Sequence, residues 1–149
     1  MQNVYLANLS VWLVKLHNIH WNVVGPQFVP VHQFTETVYD EVFAQYDAVA
    51  ELMKMQGKTP AVRMVDYLKD ATIEEIPAQD FSAEQALELV RQDMQLMSDL
   101  AAKIRKEAAE NDDWQAQALF EGYLAYFAKQ LWFIESMQRD AGCGCCCGH

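Results

Sequence analysis

Residues 17–36 read HNIHWNVVGPQFVPVHQFTE, and the reading of this stretch decides the fold. It holds three of the chain's four histidines, His17, His20 and His32. Gly25, Pro26 and Pro30 break an otherwise helical pattern in its middle, and a residue that precedes proline is biased away from helix. Read as a turn, the stretch joins two helices and sets His20 at the end of the first and His32 near the start of the second. Glu36 then follows His32 by one helical turn.

Upstream, residues 3–24 contain neither Pro nor Gly. Leu6, Leu9, Leu13 and Leu16 recur there at helical spacing, and Tyr5, Trp12 and Ile19 form a second apolar line, so this helix needs cover on more than one side. Downstream, a second helix is expected from Val31 to Gln56, stopping at Gly57, with Phe34, Val38, Val42, Tyr46, Val49 and Met53 on its apolar stripe. In KTPAVRMVDYLKDATI, residues 58–73, Thr59 is placed to cap a short connecting helix with Pro60 at its first position. Ser82 and Gln85 form a capping-box pattern that opens a third long helix. Its stripe is Leu87, Val90, Met94, Met97, Ala101 and Ile104. Asp112 and Gln115 repeat the signature before a fourth, with Phe120, Leu124, Phe127, Leu131 and Ile134 inward and Trp132 and Phe133 widening that face. The expectation is an all-α, ferritin-like four-helix bundle over residues 1–139, with a short helix in the crossover between the second and third long helices. Residues 140–149 read as a flexible, Cys-rich C-terminal tail.

Composition narrows the function. The net charge is −10, with eleven basic residues scattered among twenty-one acidic ones and no basic arm. Nucleic-acid binding is therefore disfavoured, and metal cations are the more natural partners. No apolar run is long enough for a membrane span, and the N-terminal residues carry no secretion-signal pattern, so a cytoplasmic protein is expected. All four cysteines lie within the last seven residues, CGCCCGH, which leaves no disulfide framework for the body.

A Glu-x-x-His pair on two helices would mark a di-iron site inside one bundle. It is absent here, so a metal site has to be built another way. His32 and Glu36 share one helix face; Asp47 and Glu51 form a second such pair further along. The two pairs stand about 22 Å apart along a straight helix, beyond the reach of one metal. An antiparallel two-fold dimer resolves this by setting His32 and Glu36 of one chain against Asp47 and Glu51 of the other, twice over. His20 reaches the same place across the turn. The mixture of imidazole nitrogens and carboxylate oxygens suits Fe(II) or Zn(II). On the residues alone, His20 reads equally as a packing histidine and Asp47–Glu51 as a solvated helix face. His17 reads as lying beside such a site, and Trp12, Trp114, Trp132 and the methionines of the third helix as packing residues.

KLHNIHWNVVGPQF, followed by H-x-x-x-E and D-x-x-x-E, resembles the Dps family of mini-ferritins, as do the short helix around Tyr67 and Leu68 and KQLWFIES from Lys129. The resemblance runs over nearly the whole chain. It implies a hollow dodecameric shell whose two-fold interfaces hold ferroxidase sites, where Fe(II) is oxidised, preferably by hydrogen peroxide, and then stored as ferric mineral. Carried over, His20 and His32 come from one subunit and Asp47 and Glu51 from its mate. Glu36 stands where many relatives have Asp. Trp21 matches a family tryptophan that acts as electron donor and radical trap. Zinc is the alternative occupant of the same ligands. DNA-binding relatives commonly use a Lys/Arg-rich tail, which is absent here, so DNA binding is not expected; a DNA-coating protein and a non-redox metal buffer remain the competing readings. Asp112, Asp113 and Glu121 are candidates for an iron-entry pore. The tail has no counterpart in the family pattern: Cys143, Cys145, Cys146, Cys147 and His149 read either as thiols that oxidise and cross-link or as ligands for a soft metal or for iron delivery.

Overall fold

A computed structural model describes residues 1–139 of the chain, so the tail reading lies outside the described residues. The described elements are α1 (Gln2–Asn22), β1 (Val23–Val24), α2 (Phe28–Met55), α3 (Met64–Asp70), β2 (Phe81–Ser82), α4 (Ala83–Glu110) and α5 (Trp114–Gln138). The four long helices form a bundle, and α3 is the short helix of the crossover. Cross-helix bonds give the directions. Gln2 meets Gln56, Tyr5 meets Gln45 and His20 meets His32, so α1 and α2 are antiparallel. Tyr5 packs on Phe120 and Trp12 on Phe127, so α1 and α5 run the same way.

These directions make α2 and α4 parallel, and the chain between them has to travel the length of the bundle. It does so alongside α1. Asn3 binds the amide of Ala61, Asn8 binds Thr72 and Ile73, and Asn18 binds the carbonyl of Ile76. The path ends in a two-residue parallel ladder, Val23 against Phe81 and Val24 against Ser82. That ladder pins the α1–α2 turn to the start of α4.

The apolar stripes meet in one core. Tyr5, Leu6, Leu9, Trp12, Leu16, Ile19, Val38, Val42, Val90, Met94, Met97, Phe120, Phe127 and Ile134 are all buried. Truncating such a residue to alanine costs about 2–5 kcal/mol, through lost transfer free energy and the cavity left behind. One ion pair lies within this core. Lys15 of α1 holds both oxygens of Asp93 of α4, at 2.9 and 2.8 Å, with the residues only 8% and 6% exposed. Burial pushes the Asp93 carboxyl up, and the Lys15 ammonium pulls the other way.

Four local expectations are corrected. The second helix begins at Phe28 rather than Val31. Pro30 lies in its first turn, where a missing N–H costs nothing because those amides have no partner within the helix. The short helix begins at Met64 with Arg63 as its cap, not at Thr59 and Pro60. The backbone of Ala61 is already committed, its amide to Asn3 and its carbonyl to the Tyr67 hydroxyl. Ser82 and Gln85 do form the capping box, but the cap of α5 is Asp113, which accepts from the Ala116 amide. Asp112 instead takes a left-handed φ of 53° in the preceding turn. Trp12 is a core residue as expected, whereas Trp114 and Trp132 are exposed on the chain. Among the described residues no helix is long and apolar enough to cross a membrane.

Candidate metal centre

The turn between α1 and α2 is where the structure concentrates imidazole chemistry. Gly25 has φ +101°, a conformation that disfavours any side chain, and its carbonyl accepts from the Phe28 amide at 3.0 Å. This reversal stacks His20 against His32 with ring centroids 3.6 Å apart and planes inclined by 20°.

The two histidines hold each other through the backbone. His20 Nδ1 donates to the carbonyl oxygen of His32 at 2.9 Å, and His32 Nδ1 donates to the carbonyl oxygen of His20 at the same distance. Because a carbonyl only accepts, each Nδ1 must carry a proton, and in the neutral imidazole the lone pair is then on Nε2. The arrangement also serves the helices. The last carbonyls of α1 have no partner within the helix, and the His32 side chain satisfies one of them. Thr35 Oγ1 lies 3.1 Å from His20 Nδ1 and is itself bonded to the carbonyls of Val31 and His32. Imidazoles that donate from one nitrogen to a carbonyl and keep the other free are how proteins orient histidine metal ligands.

Electrostatics favours the neutral form of His20. Burial pushes the His20 pKa below its ordinary value; the His32 carbonyl and the Glu36 carboxylate pull it back in part. His20 is buried and His32 half-buried, while Glu36 is exposed one turn beyond. Tyr39 stacks on His17 at 4.2 Å and meets His20 edge-on at 5.2 Å, and its phenol is pushed up, first by burial and then by the charges of Glu36 and Asp40. His17 donates to the carbonyl of Leu13 and packs edge-on against Trp21, so it supports the cluster from behind. Trp21 itself is 69% exposed.

Of the expected ligands, the structure therefore brings together His20 and His32, with Glu36 close by. It does not bring Asp47 and Glu51 to them. Both carboxylates are exposed on α2, about 22 Å further along its axis at ~1.5 Å per residue. Among the described residues no three His, Cys, Asp or Glu side chains converge to hold a metal within one chain. The candidate pore residues are in part committed elsewhere: Asp113 accepts from Ala116 and from Gln56, and Glu121 pairs with Arg105 at 2.6 Å. Thr35, Tyr39 and Phe28, which stacks on His32, escaped the sequence reading. Their positions one to two turns from the histidines were the only signal for them.

The chain matches the family described as a ferritin-like domain over residues 3–141. It is 32% identical over 135 residues to the DNA protection during starvation protein of Brevibacillus brevis, covering 90% of this chain and 89% of that protein. The crystal structure of antigen TpF1 from Treponema pallidum superposes with a TM-score of 0.91 at 27% identity, over 93% of this chain and 89% of that one. Dps from Listeria innocua soaked with zinc superposes with a TM-score of 0.87 at 26% identity, over 91% and 92% of the two chains.

Proposed function

This chain belongs to the Dps family of ferritin-like proteins, and from that premise we propose that it is an iron-storing ferroxidase. In this reading Fe(II) is the substrate, hydrogen peroxide the oxidant, and the site is shared between two chains of a dodecameric shell in the cytoplasm. The carrying observation is the half-site: two stacked imidazoles, each held at Nδ1 by the other's backbone carbonyl so that Nε2 is the nitrogen left for a metal, and a carboxylate pair on α2 too distant to join them. His20 and His32 bind iron from one chain. Asp47 and Glu51 bind it from the two-fold mate and supply a carboxylate able to bridge two irons. Glu36 contributes a further oxygen, and Trp21 is an electron donor at the edge of the site. Exposed apolar side chains on α1, α2 and α3 and in the segment before α3, among them Val14, Phe43, Val62, Val65 and Leu68, support assembly, because apolar surface of this kind is usually covered by a partner.

The redox balance favours a paired site. Two Fe(II) ions each give one electron to one peroxide, the O–O bond breaks, and two protons complete two waters. No hydroxyl radical is released, as it would be if a single iron gave a single electron. Zn(II) accepts the same nitrogen and oxygen ligands but no electrons, so it occupies the site as an inhibitor.

The test is His32→Ala. Removing a ligand should slow peroxide-driven Fe(II) oxidation at least about 10-fold, the low end of what even supporting residues cost in metal sites. Size-exclusion chromatography should show the shell intact. Unchanged oxidation in an intact shell would overturn the assignment. Although its relatives are named for DNA protection, a chain of net charge −10 should give no gel retardation of duplex DNA at neutral pH and low salt.

A further inference from the structure

Tyr123 and Tyr126 stand one helical turn apart on α5, and the hydroxyl of each is buried without a hydrogen-bond partner. Tyr123 is only 7% exposed, its ring stacked on Tyr5 at 6.2 Å and met edge-on by Phe120 at 5.4 Å. Burial pushes both phenols up, and the charge of Glu41, half-buried on α2, adds to it, which sets that carboxylate beside them. One oxygen of Glu41 accepts from Gln45 Nε2 at 3.0 Å, and Gln45 Oε1 accepts from the Tyr5 hydroxyl at 2.8 Å. The Tyr5 hydroxyl is thereby satisfied, whereas those of Tyr123 and Tyr126 are not. Among the described residues no Lys, Arg or His pairs with Glu41. Buried hydroxyls are nearly always partnered, so two of them beside one carboxylate point to a ligand that all three share.

We propose that Glu41, Tyr123 and Tyr126 form a site for one Fe(III) ion between α2 and α5, about 14 Å along α2 from His32 at ~1.5 Å per residue. The donors are all oxygens, which suits a hard cation rather than a soft metal or one that prefers nitrogen and sulfur. Charge then selects among the hard cations. Mg(II) and Ca(II) bind carboxylate, carbonyl and water oxygens and leave a buried phenol protonated. Fe(III) carries the charge to displace the phenolic protons, because a bound ion inverts the effect that burial has on its ligands. Each phenol O–H bond breaks as an O–Fe bond forms, two protons leave to solvent, and no electron is transferred. Two phenolates and one carboxylate then neutralise the ion, as burial in the bundle requires. Gln45 holds the carboxylate from behind, as hydrogen-bonded groups behind metal ligands do. None of these residues belongs to the imidazole–carboxylate centre. Fe(III) is the product in the ferroxidase reading, and only that supply of the ion rests on it.

Iron-free, assembled full-length protein is offered ferric nitrilotriacetate, and its visible absorption and resonance Raman spectra are read. A phenolate-to-iron charge-transfer band should grow and saturate at about one Fe(III) per chain, with phenolate ring vibrations enhanced in it. Tyr123→Phe and Tyr126→Phe should each weaken the band, and the double variant should lack it. Both rings stay in place and two unpaired hydroxyls are removed, so the thermal midpoint should not fall. Glu41→Gln should keep the band but lose at least about 10-fold in affinity. His32→Ala should keep it in full, because Fe(III) is supplied directly, so failure of the ferroxidase reading leaves this measurement unaffected. The tyrosine variants should in turn oxidise Fe(II) at the wild-type rate. Absence of the band in the wild-type chain overturns the proposal, as does a band without phenolate vibrations. A band undiminished in any tyrosine variant, unchanged affinity in Glu41→Gln, or a crystal structure of the Fe(III)-treated protein with only water between the three side chains overturns it as well.

Discussion

Two of the buried polar residues on helix α1, Lys15 and His20, have opposite outcomes. Lys15 points its ammonium at Asp93, hydrogen-bonding Oδ1 and pairing its charge with Oδ2 at 2.8 Å, so the pair spends its charge inside the bundle. His20, five residues on, also satisfies its inward nitrogen, through the His32 carbonyl and Thr35. Its other nitrogen keeps a lone pair. Burial of a polar residue therefore does not by itself mark a functional site; what distinguishes the two is whether its charge or lone pair is already matched by a partner within the chain.

The largest effect should come from breaking the closed pair. Lys15→Met leaves Asp93 buried and unpaired, and should cost about 3–5 kcal/mol in denaturant unfolding. Adding Asp93→Leu should restore most of that loss. If Lys15→Met is tolerated alone, the pair is not as closed as its geometry indicates.

The open pair is tested by mixing. Asp47→Asn alters an exposed residue, so stability should change by less than about 0.5 kcal/mol, while Fe(II) oxidation falls at least about 10-fold. Chains carrying Asp47→Asn are then dissociated and reassembled with chains carrying His32→Ala. In each mixed pair, one of the two sites draws its imidazoles from the first chain and its carboxylates from the second, and is intact. Random reassembly should recover about a quarter of the wild-type rate. No recovery would mean that the ligands are not divided between two chains.

The smallest effect sharpens the boundary between support and chemistry. Thr35→Val removes the hydroxyl beside His20 Nδ1 and should cost about 1 kcal/mol of stability. If Thr35 also orients the imidazole, oxidation at limiting iron should slow several-fold. A loss of stability alone would confine its role to the backbone of α2.

What the sequence disclosed follows from the range of the interactions. The four stripes and the Ser82–Gln85 box were legible because their partners lie within one or two turns. The start of α2 was misplaced because proline breaks a helix interior but not a first turn, and Pro30 occupies the latter. Asp112 and Asp113 are adjacent and chemically alike, so only the backbone tells which one caps. The spacing of His20, His32, Glu36, Asp47 and Glu51 reads as a candidate ligand pattern, of which the structure brings His20 and His32 together within one chain. The reciprocal carbonyl bonds that fix both imidazole tautomers were not legible, since they depend on the angle at which two helices meet. Lys15 and Asp93, 78 residues apart, carried no local signal for each other.

The two-residue ladder between Val23–Val24 and Phe81–Ser82 bears on the order in which the chain can acquire its chemistry. The hinge that stacks the imidazoles is encoded within twenty residues of sequence, yet it is clamped by a segment that follows it by 58 positions. During synthesis the α1–α2 hairpin emerges before the segment that clamps its turn. A chain truncated before Phe81 would lack this clamp, and under the proposed function its iron-binding imidazoles would be held only by the hinge and by their reciprocal carbonyl bonds.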